Sequence, residues 1–275
     1  MSRDVEIPDR LPIAVVDNHT HLDISRDGVA VDIGAALAAA AAVGVDRVVQ
    51  IGCDLPAARA TVEWVDAYAG MLGGVALHPN EAPRLADSGS LDTAYAEIET
   101  LATHPRVRVV GETGLDYFRT GPEGVGAQQD SFRWHIDLAK RLGKVLQIHD
   151  RDSHDDVIRI LDEEGAPNAV VMHCFSGDVN FARACLERGF HLSFAGTVTF
   201  KNTHSLRDAL AVTPLDRVLV ETDAPYLTPP PFRGATNAPA LMPLTVRVMA
   251  RVMGVSVPEL CAEISTTSER LYGPR

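Results

Sequence analysis

Short runs of β-branched and apolar residues alternate with longer stretches of helical period along nearly the whole chain. Strands are predicted over residues 13–18, 47–51, 74–77, 107–110, 145–148, 169–172, 191–194 and 217–220. Between them, helices are predicted over residues 32–43, 55–68, 91–104, 127–142, 152–164, 181–188 and 203–211, and a glycine-rich loop over 114–126. Two last helices, near 240–253 and 258–272, finish the chain. Strands that alternate with helices argue for parallel βα units. The repetition points to an α/β fold of the closed (β/α)8 TIM-barrel kind, as one domain over residues 1–275. Residues 1–12 are polar and charged and read as a flexible lead-in without the apolar core of a signal segment.

Composition narrows the picture. Hydrophobic residues make up 46% and charged residues 23% of 275, ordinary for a soluble globular protein. No apolar run reaches the roughly 18 residues a spanning helix needs, so no membrane association is expected. Cys53, Cys174, Cys185 and Cys261 have no CxxC spacing and read as free thiols of a cytoplasmic protein. The net charge of −12 excludes a broad electrostatic attraction to nucleic acid. A polyanionic substrate would need bound cations and a local basic cluster.

The predicted strand ends carry the candidate chemistry. On an extended strand alternate side chains share a face, so His19 and His21 project together and can grip one metal ion. Later strands end near Glu112, His149, His173 and Asp223. A lone histidine at a strand end is more often a hydrogen-bonded structural residue, and a lone Asp more often a cap. Together on the catalytic face of a barrel, four imidazoles and two carboxylates suffice for two divalent ions, with Glu112 suited to bridge them. Asp223 beside an attacking water suits a general base. The reaction class is metal-assisted hydrolysis of a phosphoester or of an amide or ester, and ligand arithmetic does not choose between them.

Other residues are candidates for substrate contact. Lys201, Arg233 and Asn237 are able to neutralise or hydrogen-bond phosphate, or to be solvated loop residues. Asp116 orients a ligand, touches substrate or caps a turn. Phe118 is placed to stack on a terminal base, while Tyr117 reads as a wall residue and Cys53 as packing. His135, His154 and His104 read as surface or core histidines, and residues 228–231 as a rigid proline lip.

Six segments in order resemble the TatD family of metal-dependent deoxyribonucleases among the amidohydrolase-like barrels. They are Asp17-Asn18-His19-Thr20-His21-Leu22-Asp23, Gly111-Glu112-Thr113-Gly114-Leu115-Asp116-Tyr117, Ile148-His149-Asp150-Arg151-Asp152, His173-Cys174-Phe175-Ser176-Gly177, Thr199-Phe200-Lys201-Asn202 and Glu221-Thr222-Asp223-Ala224-Pro225-Tyr226-Leu227. The resemblance implies a 3′→5′ exonuclease on DNA in repair or nucleic-acid turnover, with His19, His21, Glu112, His149, His173 and Asp223 as ligands. It implies two divalent ions (Mg, Mn or Zn), DNA or RNA ends as substrate, and a monomer with no obligate protein partner. The chain departs from the family at His78-Pro79-Asn80, where His-Pro-His is usual, and at Ala238, where an acid is usual. Those departures, at Asn80 and Ala238, fall on substrate contacts and leave the metal core untouched; His78 is expected among the substrate contacts. The alternatives are a metal-dependent ester or amide hydrolase acting on a small molecule or aminoacyl ester, and a metal-stabilised scaffold without catalysis.

Overall fold

The computed structural model describes residues 6–26 and 28–274. By its internal contacts the chain divides into two compact units, Met1–Gln50 with Gly177–Arg275, and Ile51–Ser176. Its strands nevertheless run in the order β1 to β8 in one eight-stranded sheet, the order of the predicted (β/α)8 fold.

The first unit holds β1 (Val15–Thr20), α1 (Ile33–Ala42) and most of β2 (Val45–Gly52). From the second half of the chain it takes α7 (Val179–Glu187), β7 (His191–Phe194), α8 (His204–Val212), β8 (Val218–Val220), α9 (Met242–Met253) and α10 (Val257–Tyr272). Every residue of β1 is buried, as in a parallel strand covered on both faces. Within this unit β1 and β8 lie side by side: the Asn18 amide donates to the Val220 carbonyl at 2.7 Å, and the Asp223 N–H to the His19 carbonyl at 3.0 Å. Asp32 caps α1 by accepting from the Ala35 N–H at 3.0 Å.

The second unit holds α2 (Leu55–Ala67), β3 (Met71–Val75), α3 (Glu81–Asp87), α4 (Leu91–Ala102), β4 (Val107–Asp116), α5 (Val125–Leu142), β5 (Val145–Arg151), α6 (His154–Glu164) and β6 (Val170–Met172). Helix α5 buries Phe132, Ile136, Leu138 and Ala139, and a large apolar side chain so buried contributes roughly 1.5–3 kcal/mol. It ends at Gly143, whose φ of 63° is the left-handed conformation glycine adopts at a helix C-terminus without steric cost.

Three expectations change. Strand β4 does not stop before a loop at Gly114 but pairs on to Asp116, with Gly114 opposite His149 and Asp116 opposite Arg151. A Cβ on Gly114 would lie 2.1 Å from the His149 carbonyl oxygen, so this glycine serves close strand approach and not a turn. Helix α3 was not predicted; it is short and carries Pro83 in its first turn. Of the lead-in, residues 1–5 lie outside those described. The rest is held from Asp9 onward: Arg247 donates to the Asp9 carbonyl at 2.7 Å, Arg10 to that of Ala41 at 2.8 Å, and Leu11 is buried.

All four cysteines are free thiols. Among the described residues no single helix is long and apolar enough to cross a membrane.

Candidate metal centre

The first unit gathers His19, His21 and Asp223. Strand β1 carries His19 to its end and His21 follows it, so period-two alternation sends both imidazoles the same way. Their Nε2 atoms lie 3.1 Å apart. Asp223 Oδ1 is 3.4 Å from the His21 Nε2 and 4.0 Å from that of His19. Asp223 follows β8 with φ 51°, a conformation that costs a residue with a Cβ about 1 kcal/mol or more. The backbone that holds it there is fixed at both flanks: its own N–H reaches the His19 carbonyl, and the His21 N–H donates to the Ala224 carbonyl at 2.7 Å. Two imidazole nitrogens and a carboxylate oxygen converge, and all three are lone-pair donors to a cation. The set fits a divalent ion.

Behind this trio lies a buried polar layer. Asp17 accepts from the Thr222 N–H at 2.9 Å and the Thr222 hydroxyl at 2.5 Å, and the Ser193 hydroxyl donates to Glu221 at 2.5 Å. Burial pushes the Asp17 carboxyl up to about 7 against the pull of its Thr222 hydrogen bonds, with the Glu221 charge adding to the rise. These residues fix β1 and β8 beside the trio, in the way outer partners orient ligands.

The second unit centres on Glu112, inside β4 and buried. Its Oε1 is 2.6 Å from His149 Nδ1, 3.2 Å from His173 Nε2 and 3.5 Å from His78 Nε2. Its other oxygen accepts from the Cys53 thiol at 3.3 Å. Burial opposes ionisation of Glu112, yet the imidazoles of His173, His78 and His149 outweigh it and hold the carboxyl well below its usual range. His149 shows the reciprocal effect. Burial alone would lower it, but Asp116 and Glu112 raise it to about 9. Its Nε2 is buried and completes no hydrogen bond, although the Asp116 carboxylate lies 3.4 Å away. A buried imidazole with a carboxylate facing each ring nitrogen, Glu112 at Nδ1 and Asp116 at Nε2, fits a second divalent ion.

Glu112, His149 and His173 therefore come together, and so do His78, Asp116 and His149, with ligand atoms within 4.8 Å of one another in each group. His78 and Asp116 were expected as substrate contacts; the structure puts both in this cluster. The His78 ring packs edge-on to that of His149, centroids 4.6 Å apart, and its Nδ1 accepts from the Asn80 N–H at 3.1 Å. Asp116 is buried, and accepts from the Phe118 and Arg119 N–H groups at 3.1 and 2.9 Å and from the Asn80 amide at 3.1 Å. The Asn80 carbonyl in turn accepts from Thr120 at 3.0 Å and Gln128 at 3.4 Å. Asn80, where the family pattern has a histidine, thus braces Asp116. The signal that could have revealed this was Asp116 itself, at the end of an apolar strand.

The remaining expected contacts separate. Asn237 is buried; its amide N–H groups go to the Thr222 and Tyr226 carbonyls at 2.9 and 2.7 Å, and its oxygen accepts from Ala238 N–H at 3.0 Å. It pins a loop and has no donor left for phosphate. Arg233 is exposed, with its guanidinium 3.6 Å over the Phe200 ring, and Lys201 is exposed. Tyr117 is a wall residue as expected, donating to Asp156 at 2.7 Å. Cys53, expected as packing, is a hydrogen-bond donor to Glu112.

The sequence matches the family described as TatD related DNase over residues 16–273. It is 43% identical over 263 residues to the uncharacterized metal-dependent hydrolase TatD of Mycobacterium tuberculosis, covering 94% of this chain and 98% of that one. It is 37% identical over 260 residues to the uncharacterized metal-dependent hydrolase YcfH of Escherichia coli, covering 94% and 95%. Among solved structures, the TatD homolog YJJV of Escherichia coli superposes with a TM-score of 0.85 at 25% identity, covering 95% and 98%. An organophosphorus hydrolase variant from Deinococcus radiodurans shares the fold alone, with a TM-score of 0.65 at 16% identity over 96% and 94%. The chain belongs to the TatD family of metal-dependent hydrolases.

Proposed function

We propose that this chain is a divalent-metal-dependent phosphodiesterase that shortens nucleic-acid strands from the 3′ end, in the cytoplasm, with DNA ends as its main substrate. The observation that carries the reading is the Glu112 carboxylate, held ionised among the imidazoles of His149, His173 and His78. The relatives' family name supports DNA as the substrate, and the ligand set supports hydrolysis.

His19, His21 and Asp223 would hold one ion, and Glu112, His149 and His173 another. Bound divalent ions supply Lewis-acid charge that stabilises the negative charge developing on a phosphoryl group in flight. The chain's own residues do the rest. Asp223, partly exposed beside its two histidines, takes the proton of the attacking water as general base. Glu112 keeps a fixed negative charge where the imidazoles converge. Asp116 holds the orientation of His149 from the side opposite Glu112. Lys201 and Arg233, exposed on loops, offer cationic contacts to phosphate. The net charge of −12 disfavours a long basic groove and favours engagement of a strand end.

The test is stepwise. Protein stripped by chelator, then restored with Mg, Mn or Zn, is incubated with end-labelled single-stranded and duplex DNA beside an Asp223→Asn variant. Shortening from the 3′ end that needs both metal and Asp223 is the expected result. Turnover of a carboxylic ester, with no cleavage of nucleic acid under any metal, overturns the reading.

A further inference from the structure

Just beyond the Glu112 cluster, the ends of β4 and β5 present an aromatic side chain to solvent. Phe118 is 63% exposed, and the Arg151 guanidinium lies over its ring at 3.8 Å from the centroid. A single exposed apolar side chain is ordinary; this one is set apart by the guanidinium on its ring and by being held in place beside a candidate active site. The ring is not on a loose loop. The Phe118 and Arg119 N–H groups both donate to Asp116 Oδ1, and the Tyr117 N–H donates to the Arg151 carbonyl at 2.9 Å. Asp116 Oδ2 is the atom 3.4 Å from His149. One carboxylate thus faces a candidate ligand with one oxygen and anchors the aromatic turn with the other. Arg151 is only two residues beyond His149 on β5.

The geometry points to a base-binding subsite: Phe118 stacks on the terminal base of a single-stranded nucleic-acid end while the Arg151 guanidinium, pre-set on the ring, engages the adjacent phosphate. Base–aromatic stacking is sequence-tolerant because every base has a π-face. Arginine pairs bidentately with phosphate oxygens and stacks on aromatic rings at the same time. Arg119, exposed beside Phe118, adds positive charge to the rim of a chain that is acidic as a whole. A platform tied to the metal cluster through Asp116 would hold the terminal nucleotide in register with the scissile phosphate. This inference rests on the nucleic-acid reading above and deepens it by naming what recognises the end.

The experiment separates the two. Full-length protein, treated with chelator so that no cleavage occurs, is titrated at low ionic strength with a short single-stranded oligonucleotide. Its 3′-terminal residue is either 2-aminopurine, whose fluorescence reports stacking, or abasic. The wild type should bind the base-bearing end more tightly than the abasic one by roughly 5- to 150-fold, the range that stacking on one aromatic supplies. Phe118→Ala should abolish that preference while leaving affinity for the abasic end unchanged, and Phe118→Tyr should restore it. With metal present, Phe118→Ala should raise KM for the base-bearing oligonucleotide with kcat within about twofold, as for loss of uniform binding. A base preference that survives in Phe118→Ala, or its absence in the wild type, overturns the subsite. If no metal supports cleavage yet the preference is present and lost in Phe118→Ala, the subsite stands and the nuclease reading falls. Cleavage without any base preference leaves the nuclease reading and removes the subsite.

Discussion

His135 and His149 are imidazoles in the same compact unit, and they behave in opposite ways. His135 sits inside α5 against Trp134 and Tyr95, with ring centroids 4.8 and 6.0 Å away. Its Nδ1–H donates to the Ser131 carbonyl at 2.7 Å and its Nε2 accepts from the Leu77 N–H at 3.1 Å, which defines one neutral tautomer. Burial lowers it to about 4, only partly offset by the Ser131 bond. His149 is flanked by Glu112 and Asp116, and the carboxylates reverse the effect of burial and raise it to about 9. One region spends its histidine on backbone hydrogen bonds and keeps it neutral. The other surrounds it with negative charge and leaves a nitrogen without a completed hydrogen bond. The difference teaches that burial does not mark a ligand; uncompensated acceptors around the ring do.

The strongest way to break this comparison is Glu112→Gln. The amide removes the charge at the convergence point of His149, His173 and His78 while keeping the shape. Loss of a supporting partner costs a metal site 10- to 100-fold, so loss of a ligand should lower metal affinity by roughly 100-fold or more. Titration calorimetry of the chelator-stripped protein reads this directly. The wild type should also release protons on taking up metal near pH 7, because His149 with a pKa of about 9 must give up its proton to bind. The variant should release fewer. Unchanged metal affinity and proton release would place His149 in the same class as His135.

Asp116→Asn sharpens the comparison with a smaller effect. Asp116 lies 3.4 Å from His149 and takes bonds from Asn80, Phe118 and Arg119, so the amide keeps part of the scaffold and loses the charge. Metal affinity or activity should fall by roughly 10- to 100-fold, the range for an outer partner. An effect as large as that of Glu112→Gln would make Asp116 a ligand in its own right.

Much of this arrangement was legible in the sequence, and what was not has physical causes. The period of the apolar runs located β7 to the residue, because a short buried strand between helices has no competing pattern. His19, His21, Glu112, His149, His173 and Asp223 were legible because each closes or follows such a run. Gly114 misled: glycine in sequence signals a turn, whereas here it admits the His149 carbonyl against β4. The misplaced strand end then made Asp116 look like a loop acid when it is a buried partner of His149. Asn237 misled in the other direction, since a polar loop residue looks available until its amide is seen spent on the Thr222 and Tyr226 carbonyls. His135 and His149 were both visible as histidines, but their difference is made by partners brought from elsewhere in the chain, Leu77 just past β3 for one and Glu112 and Asp116 on β4 for the other, and no local pattern shows that.

The smallest effect on the metal site is expected from His135→Leu, which should leave metal affinity within about twofold and act on acid stability instead. The folded protein resists protonating His135 down to about 4, whereas the ordinary value is 6.5. Between these limits the unfolded chain binds the extra proton, so stability is complete above about pH 6.5 and falls as the pH drops toward 4. That window is worth roughly 3 kcal/mol for this group. At pH 7 the variant should be less stable than the wild type by about 1–3 kcal/mol, because the Leu77 N–H and Ser131 carbonyl lose their shared partner. Between pH 6.5 and 4 the wild type loses its advantage and the variant lacks this component of the slope, so the two should converge. Urea unfolding at pH 7 and pH 4 measures the difference, and other titrating groups cancel in the comparison. A gap that stays constant across the window would mean that His135 is not held neutral, and the contrast with His149 would then rest on hydrogen-bond geometry alone.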